Sequence, residues 1–285
     1  MSSAAVVAVI RRLTGEKRVG HAGTLDPEAA GVLPIMTGRA TRLFDYIVDK
    51  EKEYVAVAAF GSATDTQDAT GTVTETGQNY PDIDTVRQMA VKLTGTITQR
   101  PSMYSAIKVG GKPLYARARQ GEKVEVPERT VRIDSIEVLR EMPDHGAEIR
   151  VRCGRGTYIR TLCHDLGKLC GCPAHMRSLE RTVSGPFSRD TAATLEDMKR
   201  LAEEGRLEEV LLPPDYPLRH MPRADLAPSC EKMARNGGKI PAKYIEGGIP
   251  PEGAAAAVYL GGQFLGIAGM CGNQLIWKAL IVPGE

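Results

Sequence analysis

The chain has 285 residues, of which 42% are hydrophobic and 25% are charged, and its formal net charge at pH 7 is +2. These totals are ordinary for a soluble globular protein with one large or two modest domains. The charge is unevenly distributed, because residues 100–181 hold sixteen Lys/Arg against ten Asp/Glu, whereas residues 51–99 hold three against seven. The basic middle section favours a polyanionic partner, although a solvated surface is the commoner cause of such an excess.

The six cysteines lack paired CxxC spacing, and the pair at Cys170 and Cys172 is too isolated to indicate zinc. The apolar run over residues 4–10 precedes Arg11 and Arg12 instead of following basic residues, so it does not indicate a secretory signal. No stretch approaches the length of a membrane span. The sequence therefore predicts a cytoplasmic protein with reduced thiols, no membrane and no metal.

Apolar periodicity predicts the secondary structure. Helices are predicted over residues 4–13, 40–48, 84–94, 115–121 and 194–204, with a further helix beginning near Ile159. Strands are predicted over residues 53–60, 131–139, 148–153, 256–260, 264–268 and 275–282. Helix and strand signals alternate irregularly, which favours an α+β or mixed α/β architecture. Four prolines between residues 211 and 222 indicate a linker, so we expect a larger domain over residues 1–212 and a small β domain over residues 213–285.

The segment of residues 20–34 carries an acid in an unusual setting. Its first eight residues read GHAGTLDP, which places Asp26 between Gly23 and Pro27. Pro27 disfavours a helix at Asp26, and the segment has too many breakers for a helix and no strand alternation. Either the segment is a rigid loop that holds one carboxylate in a fixed pose, or it is a turn that Asp26 caps locally.

The sequence contains no phosphate-binding loop, dinucleotide-binding motif, nucleophile elbow or zinc-protease helix. The candidates that remain are Asp26 on the loop, Tyr54 at the head of a strand and Arg160 just before a helix. A nearby guanidinium would keep Asp26 anionic, an anionic Asp is a competent covalent nucleophile, and a tyrosine can shuttle a proton. The alternatives are a structural ion pair and a half-buried core tyrosine.

Several longer motifs follow one another along residues 1–200. They are GHAGTLDP at 20–27, GRAT at 38–41, KEY at 52–54, TDTQD at 64–68, PSMYSAIK at 101–108 and GTYIR at 156–160. Together they closely resemble the motifs of TruB-type tRNA pseudouridine synthases. The resemblance implies an α+β fold with a mixed, largely antiparallel central sheet flanked by helices. The C-terminal unit is similar, in a general way, to the small PUA-like β domain of bacterial members.

The resemblance also implies a reaction. The family isomerises a T-loop uridine in tRNA, position 55 by tRNA convention, to pseudouridine without a cofactor or a metal. Asp26 matches the nucleophile, which adds to C6 of the base or to C1′ of the ribose. Tyr54 matches the tyrosine that stacks on the target base and is implicated in proton removal, and Arg160 matches the arginine paired with the nucleophile.

A uridine inside a folded loop must be flipped out before it reacts. By the same resemblance, His21 fills the vacated space, Tyr158 and Leu179 line the pocket of the flipped base, and Asp68 is a polar pocket residue. Without the resemblance, His21 is typical of a loop, and Tyr158 and Leu179 are typical of core packing. The expected partner is the T-stem loop of tRNA, with its phosphates on the basic section. The compact C-terminus and the lack of basic tails favour a monomer without an obligatory protein partner, unlike guide-RNA-dependent relatives.

The start of the chain departs from the family pattern. Family members begin with a strand and an Asp-Lys-Pro turn ahead of the first helix, and Met1–Ser3 resembles only the tail of that segment. Either the start codon has been placed too far downstream, or the protein lacks this strand and the lysine near the active site. A rival hypothesis follows, in which the protein binds tRNA or assists RNA folding and its catalysis is lost or secondary. A carboxylate glycosidase would need a second acid in the motif pattern, and none is present.

Overall fold

The structure is a computed structural model that describes residues 1–47, 51–122 and 124–281. The helices of the described residues are α1 Ser3–Thr14, α2 Phe44–Ile47, α3 Ile83–Lys92, α4 Leu114–Ala118, α5 Ile159–Cys170, α6 Leu195–Glu203 and α7 Glu231–Arg235. The strands up to residue 113 are β1 Val19–His21, β2 Ala30–Gly31, β3 Ile35–Thr37, β4 Lys52–Phe60, β5 Ser62–Thr64, β6 Val73–Thr76, β7 Gly95–Gln99, β8 Lys108–Val109 and β9 Lys112–Pro113. The later strands are β10 Arg129–Met142, β11 Gly146–Cys153, β12 Ala174–Ser184, β13 Phe187–Ser188, β14 Arg223–Leu226, β15 Ile240–Pro241, β16 Ile245–Glu246, β17 Ala255–Leu260, β18 Gln263–Cys271 and β19 Gln274–Leu280.

The chain forms two compact units. The central unit comprises Leu25–Val32 and Asp49–Asp190, and the terminal unit comprises Met1–Thr24, Leu33–Val48 and Thr191–Glu285. These units are groups of residues in mutual contact. The division of the sequence at residue 212, into a catalytic domain and a small β domain, stays a prediction.

The central unit is built on one sheet with the strand order β13-β12-β4-β11-β10-β7, and β2 pairs with β12 outside this order. Neighbouring strands in the order are antiparallel, whereas β2 and β12 are parallel. Helices α3 and α5 contribute buried side chains to the core of this unit. The prediction of an α+β fold with a mixed, largely antiparallel sheet and flanking helices is confirmed.

Strand β4 shows how the sequence pattern forms the core. Its core face consists of Tyr54, Ala56, Ala58 and Phe60. Successive side chains of a strand point to opposite faces, so the residues between them lie on the other side of the sheet. There Glu53 forms ion pairs with Arg152 (2.8 Å) and Arg150 (3.9 Å), and Arg150 also pairs with Glu137 (2.7 Å). We call Glu53, Glu137, Arg150 and Arg152 the exposed ladder.

Strand β12 lies beside β4 in the sheet and was not predicted from the sequence. Two register shifts against β4, between Met176 and Ser178 and between Arg181 and Val183, interrupt its period of two. In addition, the buried position 181 is an arginine, which an alternation pattern counts as polar. An interrupted period and a buried charge together conceal the strand from pattern analysis.

Several predicted boundaries were wrong. Residues 38–43 form a 3₁₀ turn ahead of the short α2, in place of one helix over residues 40–48. Short strands β1 and β2 occur within the segment predicted to lack strand structure. The helix predicted over residues 115–121 ends at Ala118. Val48 and Val282, the last residues of one predicted helix and one predicted strand, lie outside the described residues.

The terminal unit begins with α1, where the Ser2 hydroxyl accepts a hydrogen bond from the Ala5 amide (3.2 Å). Thr194 caps α6 in the same way by accepting from the Asp197 amide (3.1 Å), as its capping-box spacing predicts. A sheet with the order β15-β19-β18-β17-β14-β16 confirms the predicted C-terminal β structure. None of the described helices combines the length and the hydropathy that a bilayer span requires.

Candidate active site

Asp26 stands at the start of a tight turn. The Ala29 amide donates to the Asp26 carbonyl (2.9 Å), which closes a four-residue turn with Pro27 at its second position. Proline favours that position because its ring fixes φ at about −65°. The side chain of Asp26 is 37% exposed, and its carboxylate forms an ion pair with Arg160. The turn therefore presents the acid to a distant part of the chain while leaving it accessible.

Arg160 is the second residue of α5, and its side chain is only 8% exposed. Its Nε lies 3.0 Å from Asp26 Oδ2, and its Nη2 lies 3.5 Å from Asp26 Oδ1. Its Nη1 lies 3.1 Å from Asp68 Oδ2. The same guanidinium donates to the carbonyls of Thr66 (3.2 Å) and Tyr104 (3.1 Å). The structure thus brings three of the predicted site residues together, and the plane of the guanidinium is fixed from several directions.

Asp68 is held firmly as an anion. Its Oδ1 accepts from the hydroxyls of Thr66 (2.7 Å) and Thr70 (2.6 Å) and from the Thr70 amide (3.0 Å). Burial alone would raise the pKa of Asp68, but these hydrogen bonds and the Arg160 charge hold it below its usual range. Asp68 therefore anchors Arg160 as a charged carboxylate.

The pKa of Asp26 is shifted in the other direction. Burial raises it, the Arg160 charge opposes the rise and the Asp68 charge adds to it, so the pKa lies above the usual range of an aspartate. A carboxylate that has lost part of its hydration beside a fixed cation can attack an electrophilic carbon once it is ionised. The arrangement supports nucleophilic chemistry at Asp26, with Arg160 setting the direction of the carboxylate.

Tyr158 is the N-cap residue of α5. The buried Gln99 holds its backbone, because the Gln99 side chain donates to the Tyr158 carbonyl (3.2 Å) and accepts from the Tyr158 amide (3.0 Å). The Tyr158 ring centre lies 5.5 Å from the guanidinium carbon of Arg129. Burial raises the pKa of Tyr158, the charges of Arg129 and Arg160 oppose the rise, and Asp26 adds to it. The Tyr158 ring is therefore within electrostatic reach of the Asp26 carboxylate.

Tyr54 is 8% exposed and lies opposite Arg181 in the β4–β12 register. Burial raises the pKa of Tyr54, whereas the Arg181 charge and a hydrogen bond with the Arg181 side chain lower it, and the Asp26 charge raises it. Leu179 lies opposite Ala56 and belongs to the same core cluster as Tyr54. The structure thus brings Tyr54 within electrostatic reach of Asp26 and places Leu179 in the core.

His21 lies in β1 opposite Ile35 of β3 and belongs to the terminal unit, and its role toward a flipped base stays a prediction. Within the described ranges, no group of three or more His, Cys, Asp and Glu side chains could hold a metal ion. Burial raises the pKa of Cys153 to about 11 and that of Cys163 to about 12. Both thiols are therefore protonated near neutral pH and are poor nucleophiles.

Four residues that support the site were not assigned from the sequence, namely Thr66, Thr70, Gln99 and Tyr104. Thr66 and Thr70 belong to a run of short polar side chains over residues 64–71, which was a signal for local hydrogen bonding. Tyr104 contributes its carbonyl, which no side-chain pattern shows. Gln99 is a fully buried glutamine at the end of β7, and its position becomes meaningful only when α5 packs beside it.

Comparison with solved structures defines the class of protein. A chain of a Cbf5-Nop10-Gar1 complex covers 99% of this chain and 82% of its own length, with a TM-score of 0.76 and 26% sequence identity. A chain of an H/ACA RNP bound to a substrate RNA containing 2′-deoxyuridine covers 100% and 83%, with a TM-score of 0.75 and 25% identity. The chain therefore has the fold of these two solved chains.

The family follows from sequence comparison. The model of the TruB family pseudouridylate synthase (N terminal domain) matches residues 11–159, and that of the tRNA pseudouridylate synthase B C-terminal domain matches residues 160–219. The tRNA pseudouridine synthase B of Bacillus licheniformis is 46% identical over 246 residues, or 84% of this chain and 80% of the relative. That of Alkaliphilus oremlandii is 42% identical over 267 residues, or 93% and 88%. The chain belongs to the TruB family of pseudouridylate synthases, as its motifs predict, and is an isomerase.

Proposed function

We propose that this chain isomerises the uridine at position 55 in the T loop of tRNA to pseudouridine, with Asp26 as the nucleophile. The observation that carries the proposal is the contact between Asp26 and the buried Arg160 in a chain of the TruB family. Tyr54 and Tyr158 lie within electrostatic reach of that carboxylate. The relatives bear the name tRNA pseudouridine synthase B, which supports tRNA as the substrate.

The proposed reaction conserves the atoms of the nucleotide. The bond from N1 to C1′ breaks, a bond from C5 to C1′ forms, the hydrogen on C5 leaves as a proton, and N1 gains a proton. Asp26 attacks either C6 of the base or C1′ of the ribose, and the bond that it forms to this carbon breaks again before the product leaves, so that the carboxylate is regenerated. Arg160 holds the carboxylate in one direction, which reduces the entropy lost when the base arrives.

The other site residues have proposed roles around the base. The uridine leaves its loop at a cost of a few kcal/mol, and His21 fills the vacated space. Tyr54 stacks on the base and shuttles the C5 proton by giving up its own phenolic proton as it accepts that one, while Tyr158 and Leu179 line the pocket. Asp68, interpreted from the sequence as a polar pocket residue, acts here by anchoring Arg160 (3.1 Å).

We further propose that the chain acts on tRNA in the cytoplasm as a monomer without a protein partner. Residues 1–212 form the catalytic domain in this proposal, and residues 213–285 form the small PUA-like domain. The excess of Lys/Arg over residues 100–181 supports contacts with the phosphates of the T-stem loop. Because such contacts release counterions, the affinity for tRNA is expected to fall steeply as the salt concentration rises.

The test uses the purified chain and a tRNA transcript labelled with tritium at C5 of its uridines. Loss of the C5 hydrogen releases tritium, so the released counts report isomerisation. Asp26→Asn removes the charge and the nucleophile at constant shape, and we expect its rate to fall at least about 10³-fold. Asp134→Asn is the matched control, because Asp134 pairs with Arg132 at the surface (2.9 Å) and should leave the rate unchanged. A second transcript with cytidine at position 55 tests the site of modification.

The possible results separate the hypotheses. The proposal is supported if the parent chain and Asp134→Asn release tritium, if Asp26→Asn does not, and if circular dichroism shows that all three proteins are folded. A folded Asp26→Asn variant that still turns over would exclude Asp26 as the nucleophile. Equal release from the cytidine-55 transcript would exclude that position. Tight tRNA binding by the parent chain without any release would favour the rival RNA-binding or RNA-folding protein.

A further inference from the structure

Arg181 is a buried arginine to which the reaction described above assigns no role. It is 1% exposed and is among the largest fully buried side chains of the described residues. Removing a guanidinium from water is costly, and an apolar side chain of similar length would fill the same space at a lower desolvation cost. The presence of a charged group at this position of β12 therefore calls for a reason beyond packing.

The first contact of Arg181 is with the chain that follows the Asp26 turn. The Val32 amide donates to the Arg181 carbonyl (2.8 Å), and the Arg181 Nε donates to the Val32 carbonyl (2.7 Å). Residue 181 thus binds both backbone groups of one residue, with its main chain and with its side chain. Gly31, beside Val32, has a φ of +102°, and a β-carbon there would collide with the Arg181 carbonyl. The close approach of β2 to β12 depends on that glycine.

The second contact of Arg181 is with Tyr54. The two residues are directly opposite in the antiparallel register of β4 and β12, so their side chains project from the same face of the sheet, and hydrogen bonding by the Arg181 side chain lowers the pKa of Tyr54. A guanidinium has only donors, so the phenolic oxygen of Tyr54 is the acceptor. Arg181 therefore connects the segment that follows the Asp26 turn with Tyr54.

We propose that Arg181 is a positioning residue that fixes the phenol of Tyr54 relative to the Asp26 turn. The inference rests on the proposed function, since it assigns Tyr54 a part in that reaction. The guanidinium donates to the phenolic oxygen of Tyr54. Through its bond to the Val32 carbonyl, it also holds the segment after the Asp26 turn in a fixed position relative to Tyr54. Base stacking and proton removal by Tyr54 then occur at a fixed distance from the nucleophile.

The test measures the rate of the chemical step and the environment of Tyr54 separately in the Arg181→Met variant. This substitution removes the guanidinium but keeps an unbranched side chain. A displacement of about 1 Å at a reacting group costs about 100-fold in rate, so we expect the single-turnover rate at saturating tRNA to fall by that factor. The dissociation constant of tRNA is expected to stay unchanged. The protein is also labelled with 3-fluorotyrosine, and the ¹⁹F resonance of Tyr54 is assigned by its loss in Tyr54→Phe. This resonance is expected to shift in Arg181→Met.

Two variants make the result specific. Arg181→Lys keeps the charge and replaces the guanidinium fork by a single ammonium group, and we expect it to recover part of the rate and part of the resonance position. Arg177→Met is the matched control, because Arg177 lies on the same strand and also donates to backbone carbonyls, those of Pro143 and Asp144 (3.1 Å each). Neither its rate nor the Tyr54 resonance is expected to change.

The inference is overturned if Arg181→Met is folded and keeps the parent rate, or if it loses rate while the Tyr54 resonance stays in place. If Arg181→Met does not fold, Arg181→Lys replaces it in both measurements with the same criteria. If the parent chain itself forms no pseudouridine, the proposed function fails, and the resonance still decides whether Arg181 positions Tyr54.

Discussion

Two groups of ion pairs in the central unit use the same kinds of side chain in different surroundings. At the candidate site, Arg160 is 8% exposed and joins Asp26 and Asp68. In the exposed ladder, Arg150 is 39% exposed and Arg152 is 66% exposed. Pairs in contact with water gain little, because solvent and salt screen them and the long side chains lose freedom. Burial of the arginine, rather than the identity of the residues, separates the two groups, because the carboxylates run the other way, with Glu53 14% exposed and Asp26 37% exposed.

The carboxyl groups respond to these surroundings in opposite ways. Burial raises the pKa of Asp26 above its usual range despite the Arg160 charge. For Glu53 of the ladder, the effect of burial is outweighed by hydrogen bonds from Arg152 and Thr182, and its pKa is lowered. A carboxylate whose charge is stabilised on all sides is chemically inert, whereas one that is partly desolvated is poised to react. The comparison therefore supports the proposal that Asp26, rather than Glu53, is the nucleophile.

The largest effect is expected from Arg160→Met. It leaves Asp26 and Asp68 facing each other without their cation, so we expect the unfolding free energy to fall by about 3 kcal/mol. The rate of pseudouridine formation should fall about 10³-fold, because the carboxylate loses its orientation and the positive charge that opposes the rise of its pKa. Arg150→Met in the exposed ladder is the control and should cost less than about 1 kcal/mol with an unchanged rate. Urea denaturation measures the unfolding free energy, and tritium release measures the rate. Similar losses of stability and rate in Arg160→Met and Arg150→Met would contradict the comparison.

An intermediate effect is expected from Asp68→Asn. The negative charge of Asp68 raises the pKa of Asp26, so its removal lowers that pKa and keeps Asp26 ionised to lower pH. The acid limb of the kcat/KM profile should therefore move to lower pH, while the plateau falls about tenfold because Arg160 loses an anchor. Asp65→Asn is the matched control, since Asp65 contacts the Tyr104 hydroxyl (3.4 Å) and does not shift the pKa of Asp26. An acid limb that moves to higher pH would refute the assignment.

The smallest effect is expected from Thr70→Val, which removes the hydroxyl that donates to Asp68 (2.6 Å). The folded-state pKa of Asp68 is lowered, so its contribution to stability is present above the unfolded-state pKa and is lost as the pH falls through the folded-state value. We expect a loss of about 1 kcal/mol near neutral pH that disappears in acid. Thr74→Val removes a hydroxyl that donates to the Ala63 carbonyl (3.3 Å), and its cost should not depend on pH. Denaturation curves across pH distinguish the two variants.

Much of the fold could be predicted from local patterns. The alternation along β4 and the apolar face of α5 follow from the residues themselves, and the capping spacing at Thr194 gives the start of α6. The motifs also identified the acid and the arginine that the fold brings together. These predictions succeed because propensity, periodicity and motif agree at each of those positions.

The rest depends on contacts between distant parts of the chain. Strand β12 was missed because its bulges break the period and Arg181 occupies a core position. The roles of Gln99 and of the Tyr104 carbonyl arise only when β7, α5 and the segment after β7 meet. A sequence pattern predicts which side chains face a core, but it does not predict which backbone carbonyls will accept hydrogen bonds from a buried arginine.

The bond between Val32 and Arg181 also has a consequence for the order of folding. It joins residues separated by 149 positions, and Asp26 and Arg160 are separated by 134. Closing such long loops is entropically unfavourable until other contacts have already brought the ends together. During synthesis at about 5–20 residues per second, the Asp26 turn therefore waits on the order of 10 s for its partners to leave the ribosome. We expect these contacts to be among the last of the central unit to form, and a chain released before β12 contains Asp26 without the Val32–Arg181 bond that holds the segment after its turn.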